Sequence, residues 1–361
     1  MISLSTIEGN IVKAIYEVKG YFRRTILSLY NLRHALRTFG YGSILFLTLF
    51  WLSGCHGNMA GREGGHNLHT IRFGLCADVH KDVIHDADTR LKTFIDRMNR
   101  EKVDFIIQLG DFCRPYDYNR DFLDIWKKFE GPRYHVLGNH DTDGGFTREQ
   151  TLEFWGSKEK YYSFDLDGYH FVVLDGNDKK EQGPAKGYPR YIGKQQDEWL
   201  KIDLAKTNSP TFIFSHQSIE NTGGVENGQA IRSILEEANR KVDFRKVVAC
   251  FSGHHHADYY TVIEDIYYIQ INSMSYEWLG AGYRHVRFSK AIEEAHPWVS
   301  YTAPYKDALY AIVTIRSNGT IEIDGIRSEW IRPGPSELGV PEPKEIDIST
   351  PGISSRVLRA R

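Results

Sequence analysis

The chain has 361 residues, enough for one large domain or two modest ones, and its 41% hydrophobic and 25% charged content is that of an ordinary globular protein with ample core. A net charge of −2 lacks the strong basic excess that nucleic-acid binding needs, so no nucleic-acid polymer is expected as a partner. The four cysteines, Cys55, Cys76, Cys113 and Cys250, show no CxxC spacing, which argues against a zinc ribbon or a disulfide scaffold.

Residues 1–40 carry Lys13, Lys19, Arg23, Arg24, Arg33 and Arg37 against Glu8 and Glu17, and residues 41–51, YGSILFLTLFW, are continuously apolar. This run is too short for the roughly 20 helical residues that span a bilayer. It fits the apolar core of a signal peptide behind a basic segment. It ends in LSGC (52–55), which resembles a bacterial lipobox. That resemblance implies residues 1–54 as leader, Cys55 as the lipidated first residue, and a lipid anchor at the bacterial cell envelope. The alternatives are an ordinary cleaved signal with secretion, or a buried helix. Residues 55–68 are Gly-rich and polar, a flexible tether.

The folded domain is expected over 69–331. TIRFGLCADVH reads as a buried strand ending in polar residues. Leu91, Phe94, Ile95 and Met98 then recur at helical spacing, with Asp86 or Asp88 at the start. VDFIIQLGD (103–111) and YHVLGNHD (134–141) are the next strands, followed by a capping box from Thr147 and Gln150. Residues 161–175 read as a hairpin turning at Asp167-Gly168. A helix at 194–205, a strand at 211–216, a helix at 228–240 and a strand at 247–256 follow. Two more strands, 260–263 and 266–272, precede a late hairpin across Ser317-Asn318-Gly319. From 332 onward five prolines predict an extended or disordered tail. Parallel segments early and hairpins late give an α/β layered fold.

Polar clusters close the apolar strands: Asp78-Val79-His80, Gly110-Asp111, Gly138-Asn139-His140-Asp141, Ser215-His216 and Gly253-His254-His255-His256. In layered α/β proteins, ligands bind at the carboxyl ends of strands. In extended chain, residues i and i+2 share a face, which pairs Asp78 with His80 and His254 with His256 and turns His255 away. Asp78, His80, Asp111, Asn139, His216, His254 and His256 supply enough donors for two metal ions, and Asp111 has the lone pairs to bridge them. Nitrogen and oxygen ligands without thiolate suit Mn, Fe or Zn.

Taken in order, D-x-H, G-D, G-N-H-D, a lone His after a strand and G-H-x-H resemble the calcineurin-like metallophosphoesterase superfamily over about 70–256. The resemblance implies a four-layer sandwich of two mixed β-sheets flanked by helices. It implies one metal on Asp78, His80, Asp111 and His256, a second on Asp111, Asn139, His216 and His254, and in-line attack on a phosphate ester by a hydroxide held between them. It also implies that His140 binds a phosphoryl oxygen or protonates the leaving oxygen. The expected reaction is hydrolysis of a small phosphate ester. Cyclic-nucleotide phosphodiesterase and a metal-stabilised binding module without turnover are the alternatives. Arg114 stands where protein phosphatases carry an aspartate that supports the histidine, so Asp141 and Asp117 are the candidate partners of His140. Arg114 itself is either a phosphate ligand or part of a surface ion pair. The cationic loop 176–193, with Lys179, Lys180, Lys186, Arg190, Tyr188 and Tyr191, is a candidate for attracting anions. The Gly-rich segment 221–228 is a candidate lid. Tyr276, Trp278 and Tyr283 are candidates for stacking or plain packing.

Overall fold

A computed structural model describes residues 68–180, 187–341 and 351–359. The leader, Cys55 and nearly all of the tether lie outside these residues.

Two six-stranded sheets form the frame. The strands of the first are β1 (Ile71–Cys76), β2 (Phe105–Gln108), β3 (Arg133–His135), β12 (Ala311–Ile315), β13 (Ile321–Gly325) and β14 (Arg356–Leu358), in the spatial order β14-β13-β12-β1-β2-β3. The pairs among β1, β2 and β3 are parallel, and those from β1 through β12 and β13 to β14 are antiparallel. The second sheet holds β4 (Tyr162–Leu166), β5 (Tyr169–Val173), β6 (Thr211–Ser215), β7 (Val247–Ser252), β8 (Tyr259–Ile263) and β9 (Ile266–Gln270), in the order β4-β5-β6-β7-β9-β8. Its central pairs are parallel and its two outer pairs antiparallel. A short antiparallel pair, β10 (Tyr276–Trp278) with β11 (Thr302–Pro304), stands apart.

Period-two alternation decides which side of β1 meets what. Ile71, Phe73 and Leu75 face the core between the sheets, while Cys76 faces the helices. Phe73 is the centre of the inter-sheet core. Its ring stacks on Phe105 at 4.7 Å and meets Phe214 and Phe251 of the second sheet edge-on at 5.8 and 6.0 Å, each such pair adding roughly 0.5–1.5 kcal/mol beyond burial. Outside the first sheet pack α1 (Ala87–Glu101), α2 (Arg120–Trp126) and α3 (Arg148–Trp155). Outside the second pack α4 (Lys194–Lys206) and α5 (Gly228–Arg240). This is the helix–sheet–sheet–helix sandwich expected. The capping box forms as read: Thr147 accepts from the Gln150 backbone and Gln150 reaches back. The early hairpin turns with Asp167 and Gly168 both at positive φ, the geometry of a tight two-residue turn. Cys76, Cys113 and Cys250 are buried free thiols.

The tail corrects its reading. Although it is proline-rich, residues 356–358 add β14 to the sheet edge, and Ile353 and Leu358 are buried in the inter-sheet core. Two apolar side chains with a free strand edge beside them outweigh the composition. Among the described residues no helix is long and apolar enough to cross a membrane.

Candidate active site

The site forms where the carboxyl ends of β1, β2, β3, β6 and β7 meet, and backbone hydrogen bonds stitch the loops together. Asp78 N–H donates to Gly110 O (3.0 Å), His80 N–H to Asp111 O (2.9 Å), and Gly253 N–H to His216 O (3.0 Å). Gly138 is required by crowding. A Cβ there would stand 2.1 Å from Asp111 N and 2.2 Å from Asp111 Oδ1.

The side chains converge in two groups. Asp78, His80 and His256 form the first, with ligand atoms within 4.8 Å of one another; Asp111, His216 and His254 form the second within the same limit. In the first, His80 Nε2 lies 3.2 Å from His256 Nε2, and His256 Nε2 lies 3.5 Å from Asp78 Oδ1. In the second, His216 Nε2 lies 3.2 Å from Asp111 Oδ2, 3.3 Å from His254 Nδ1 and 3.0 Å from Asn139 Oδ1. All seven expected ligand residues are therefore brought together. The local reason differs from the extended-chain argument. Asp78, His80, Asp111, His254 and His256 all sit at positive φ, between 49° and 74°. Left-handed backbone on a non-glycine residue costs about 1–3 kcal/mol and clusters at functional sites. His254 and His256 thus serve different groups rather than one face, and His255 joins neither group: its Nε2 lies 3.0 Å from Ser218 Oγ while its ring borders the same cavity.

The donor chemistry fits cations. His256 Nδ1–H donates to Tyr276 O (2.7 Å) and His216 Nδ1–H to Leu109 O (2.8 Å), which leaves both Nε2 lone pairs bare in the neutral rings. Those lone pairs face carboxylate oxygens, the Asn139 carbonyl and other imidazole nitrogens. Such acceptor-to-acceptor contacts need a positive charge between them. Ring protons supply that charge at only some of these contacts: burial pushes the pKa of both His80 and His254 down to about 3, whereas at His256 Asp78 overrides burial and raises it. At His216 burial also opposes the charge, but Asp111 overrides it and raises the pKa to about 9.

Two expectations about the histidine at the mouth are corrected. Asp141 does not face His140. It is buried, and its carboxylate accepts the backbone N–H groups of Asp111 (2.9 Å), Gly138 (2.7 Å) and Phe112 (2.7 Å), tying the β2 and β3 loops together. Asp117 is exposed and paired with Arg120. The partner is Asp143, whose Oδ2 lies 2.8 Å from His140 Nδ1. Asp143 also receives Arg114 Nη2 (3.3 Å) and the Tyr188 hydroxyl (2.9 Å to Oδ1). Arg114 thus joins an ion pair and lines the cavity at once. Asp143 went unread in the sequence. Its signal was the i,i+3 spacing from His140 in a single helical turn (His140–Thr142).

A cavity of about 640 Å³ opens over the two groups, bounded by His80, His140, Asp143, Tyr188, Trp278 and Trp298 among others. Tyr276 is buried and stacks on His80 at 5.1 Å, whereas Trp278 is exposed at the rim, and Tyr283 does not border the cavity. The candidate lid is pinned: Arg190 donates to the carbonyls of Gly223 and Gly224, and Gly223 N–H donates to Asn221 Oδ1 (2.8 Å). In the cationic loop Lys180 pairs with Glu226, Tyr188 reaches the site, and Lys186 lies outside the described residues. His170 is held between Asp165 and Asp203, His135 packs against Gln108 and Trp155, and His85 packs on Phe288, all away from the cavity lining.

The likenesses to known proteins agree with this geometry. A manganese-dependent ADP-ribose/CDP-alcohol diphosphatase of Arabidopsis thaliana is 27% identical over 213 residues, covering 50% of this chain and 67% of that protein. The crystal structure of a dimetal phosphatase from Danio rerio superposes with a TM-score of 0.51 at 17% identity, covering 72% of this chain and 98% of that one, a likeness of fold. The sequence profile of the calcineurin-like phosphoesterases matches residues 71–258, more than half the chain and every residue of both metal groups. The chain belongs to the calcineurin-like phosphoesterase family of metal-dependent phosphoester hydrolases.

Proposed function

We propose that this domain hydrolyses small phosphate esters, and diphosphates among them, at a dinuclear metal centre. The observation that carries this reading is the placement of Asp111. Its Oδ2 is 3.2 Å from His216 Nε2 and 3.7 Å from His80 Nε2, so one carboxylate oxygen borders both groups. Asp78, His80, Asp111 and His256 would hold one ion; Asp111, Asn139, His216 and His254 would hold the other. Two divalent ions there would supply Lewis acidity toward a phosphoryl oxygen and lower the pKa of bound water.

The chain's own residues do the rest. Burial disfavours a charged His140, but Asp111 and Asp143 outweigh it and raise the pKa. With Nδ1–H given to Asp143, the protonated form of the ring would hold its second proton on Nε2, available to a phosphoryl or leaving oxygen. Arg114, steadied by Asp143, has further N–H groups for a phosphate. The Arabidopsis relative acts on diphosphates and uses manganese, which supports both as first choices for assay. The lipobox-like segment ending at Cys55 supports a lipid-anchored place at the cell envelope.

The test is hydrolysis by the purified protein with Mn²⁺ of p-nitrophenyl phosphate, bis-p-nitrophenyl phosphate, ADP-ribose and 3′,5′-cyclic AMP. The proposal expects EDTA-sensitive turnover of at least one of the first three. Turnover of the cyclic ester alone would favour the cyclic-nucleotide branch. Two bound ions with no turnover of any would favour a binding module.

A further inference from the structure

The cavity continues past the metal groups to a rim whose chemistry the phosphate does not use. Glu277, on β10, lines it half-buried, and its carboxylate has no hydrogen-bond or ion-pair partner among the described residues. Trp278 and Trp298 line the same rim and are 46% and 49% exposed. Both lean on Tyr301, at 5.9 and 5.3 Å between ring centroids, so they are propped in place while much of their surface stays open. Exposed indoles held rigidly beside a cavity mark a binding surface.

Charge decides what that surface would take. Of the acidic lining residues Asp111 is committed to the metal groups and Asp143 to His140 and Arg114, which leaves the Glu277 carboxylate as the acid without a partner there. A carboxylate enclosed without a partner is costly and gains most from an incoming cation. Indole faces attract the same group through their quadrupole. A nucleobase would use the indoles without supplying that charge.

We propose that Glu277, Trp278 and Trp298 form a subsite for an alkylammonium group on the substrate's alcohol moiety, so that the preferred substrates are phosphate esters of amino alcohols. This rests on the phosphoester-hydrolase reading above.

The experiment compares p-nitrophenylphosphorylcholine with its uncharged isostere, p-nitrophenyl 3,3-dimethylbutyl phosphate, on the Mn²⁺-loaded full chain. The leaving group is the same in both, so only the ammonium differs. The expected result is a kcat/KM about five- to tenfold higher for the choline ester, carried mainly in KM, the size of cation–π contacts with two half-exposed indoles. Glu277→Gln and Trp278→Ala should each bring the ratio toward one. Choline alone should quench tryptophan fluorescence in the wild type and do so less in Glu277→Gln. Equal kcat/KM for the two esters overturns the subsite and leaves the hydrolase reading standing, as does a preference that persists in both variants. Failure to cleave either ester, or any substrate of the first assay, overturns the hydrolase reading and the subsite with it.

Discussion

Asp143 Oδ2 lies 2.8 Å from His140 Nδ1, and the same carboxylate gathers Arg114 and the Tyr188 hydroxyl. Three side chains from three segments are thus aligned on the cavity by one residue that contacts neither metal group. Asp143→Asn should lower kcat about 10- to 100-fold, the usual cost of losing an orienting partner, while bound metal stays at the wild-type level. Elemental analysis beside the rate separates this from a ligand defect; loss of metal in step with activity would contradict the orienting role.

Gly138 tests the packing on which Asp111 depends. A methyl at this position would collide with Asp111 N and Oδ1, at 2.1 and 2.2 Å, both of them atoms of a fixed loop. Gly138→Ala should cost about 1–3 kcal/mol of stability as overpacking and reduce metal content by displacing the carboxylate. Thermal unfolding and metal analysis check it; a variant with wild-type melting and wild-type metal content would show that the loop yields freely.

His170 gives a pH prediction remote from the site. It bridges Asp165 (2.7 Å) and Asp203 (2.8 Å); burial works against its charge, and the two carboxylates prevail and raise its pKa. A pKa higher in the folded state than in the unfolded chain stabilises fully below the unfolded value, about 6.5. That contribution disappears as pH rises through the folded value. The stability gap between wild type and His170→Asn should therefore be largest near pH 6 and shrink as pH rises. A gap that stays flat or widens up to pH 9 in chemical denaturation would contradict the bridge.

The strand-end clusters were legible because each follows an apolar run and several include a glycine, so the sequence marks where backbone turns toward a shared centre. The helices at 87–101 and 228–240 were legible from their buried stripes, Leu91 with Phe94, Ile95 and Met98, and Ile231 with Leu235. What escaped was local geometry that residue type conceals. Asp and His rather than Gly occupy the left-handed positions at 78, 80, 111, 254 and 256, so nothing in composition marks the bends. Asp143 hides three residues past His140 in a turn too short for periodicity, and Asp141, the nearer acid, is spent on backbone amides. The tail misled because prolines outnumber the two side chains, Ile353 and Leu358, that anchor it.

The most direct measurement is metal stoichiometry in the wild type, Asp111→Asn and His256→Ala after saturation with Mn²⁺ and removal of free ion. A bridging Asp111 predicts close to two ions per chain in the wild type, weakened binding of both in Asp111→Asn, and loss centred on one of them in His256→Ala. Two firmly held ions in Asp111→Asn, or a wild type that never exceeds one, would contradict a centre built on a shared carboxylate.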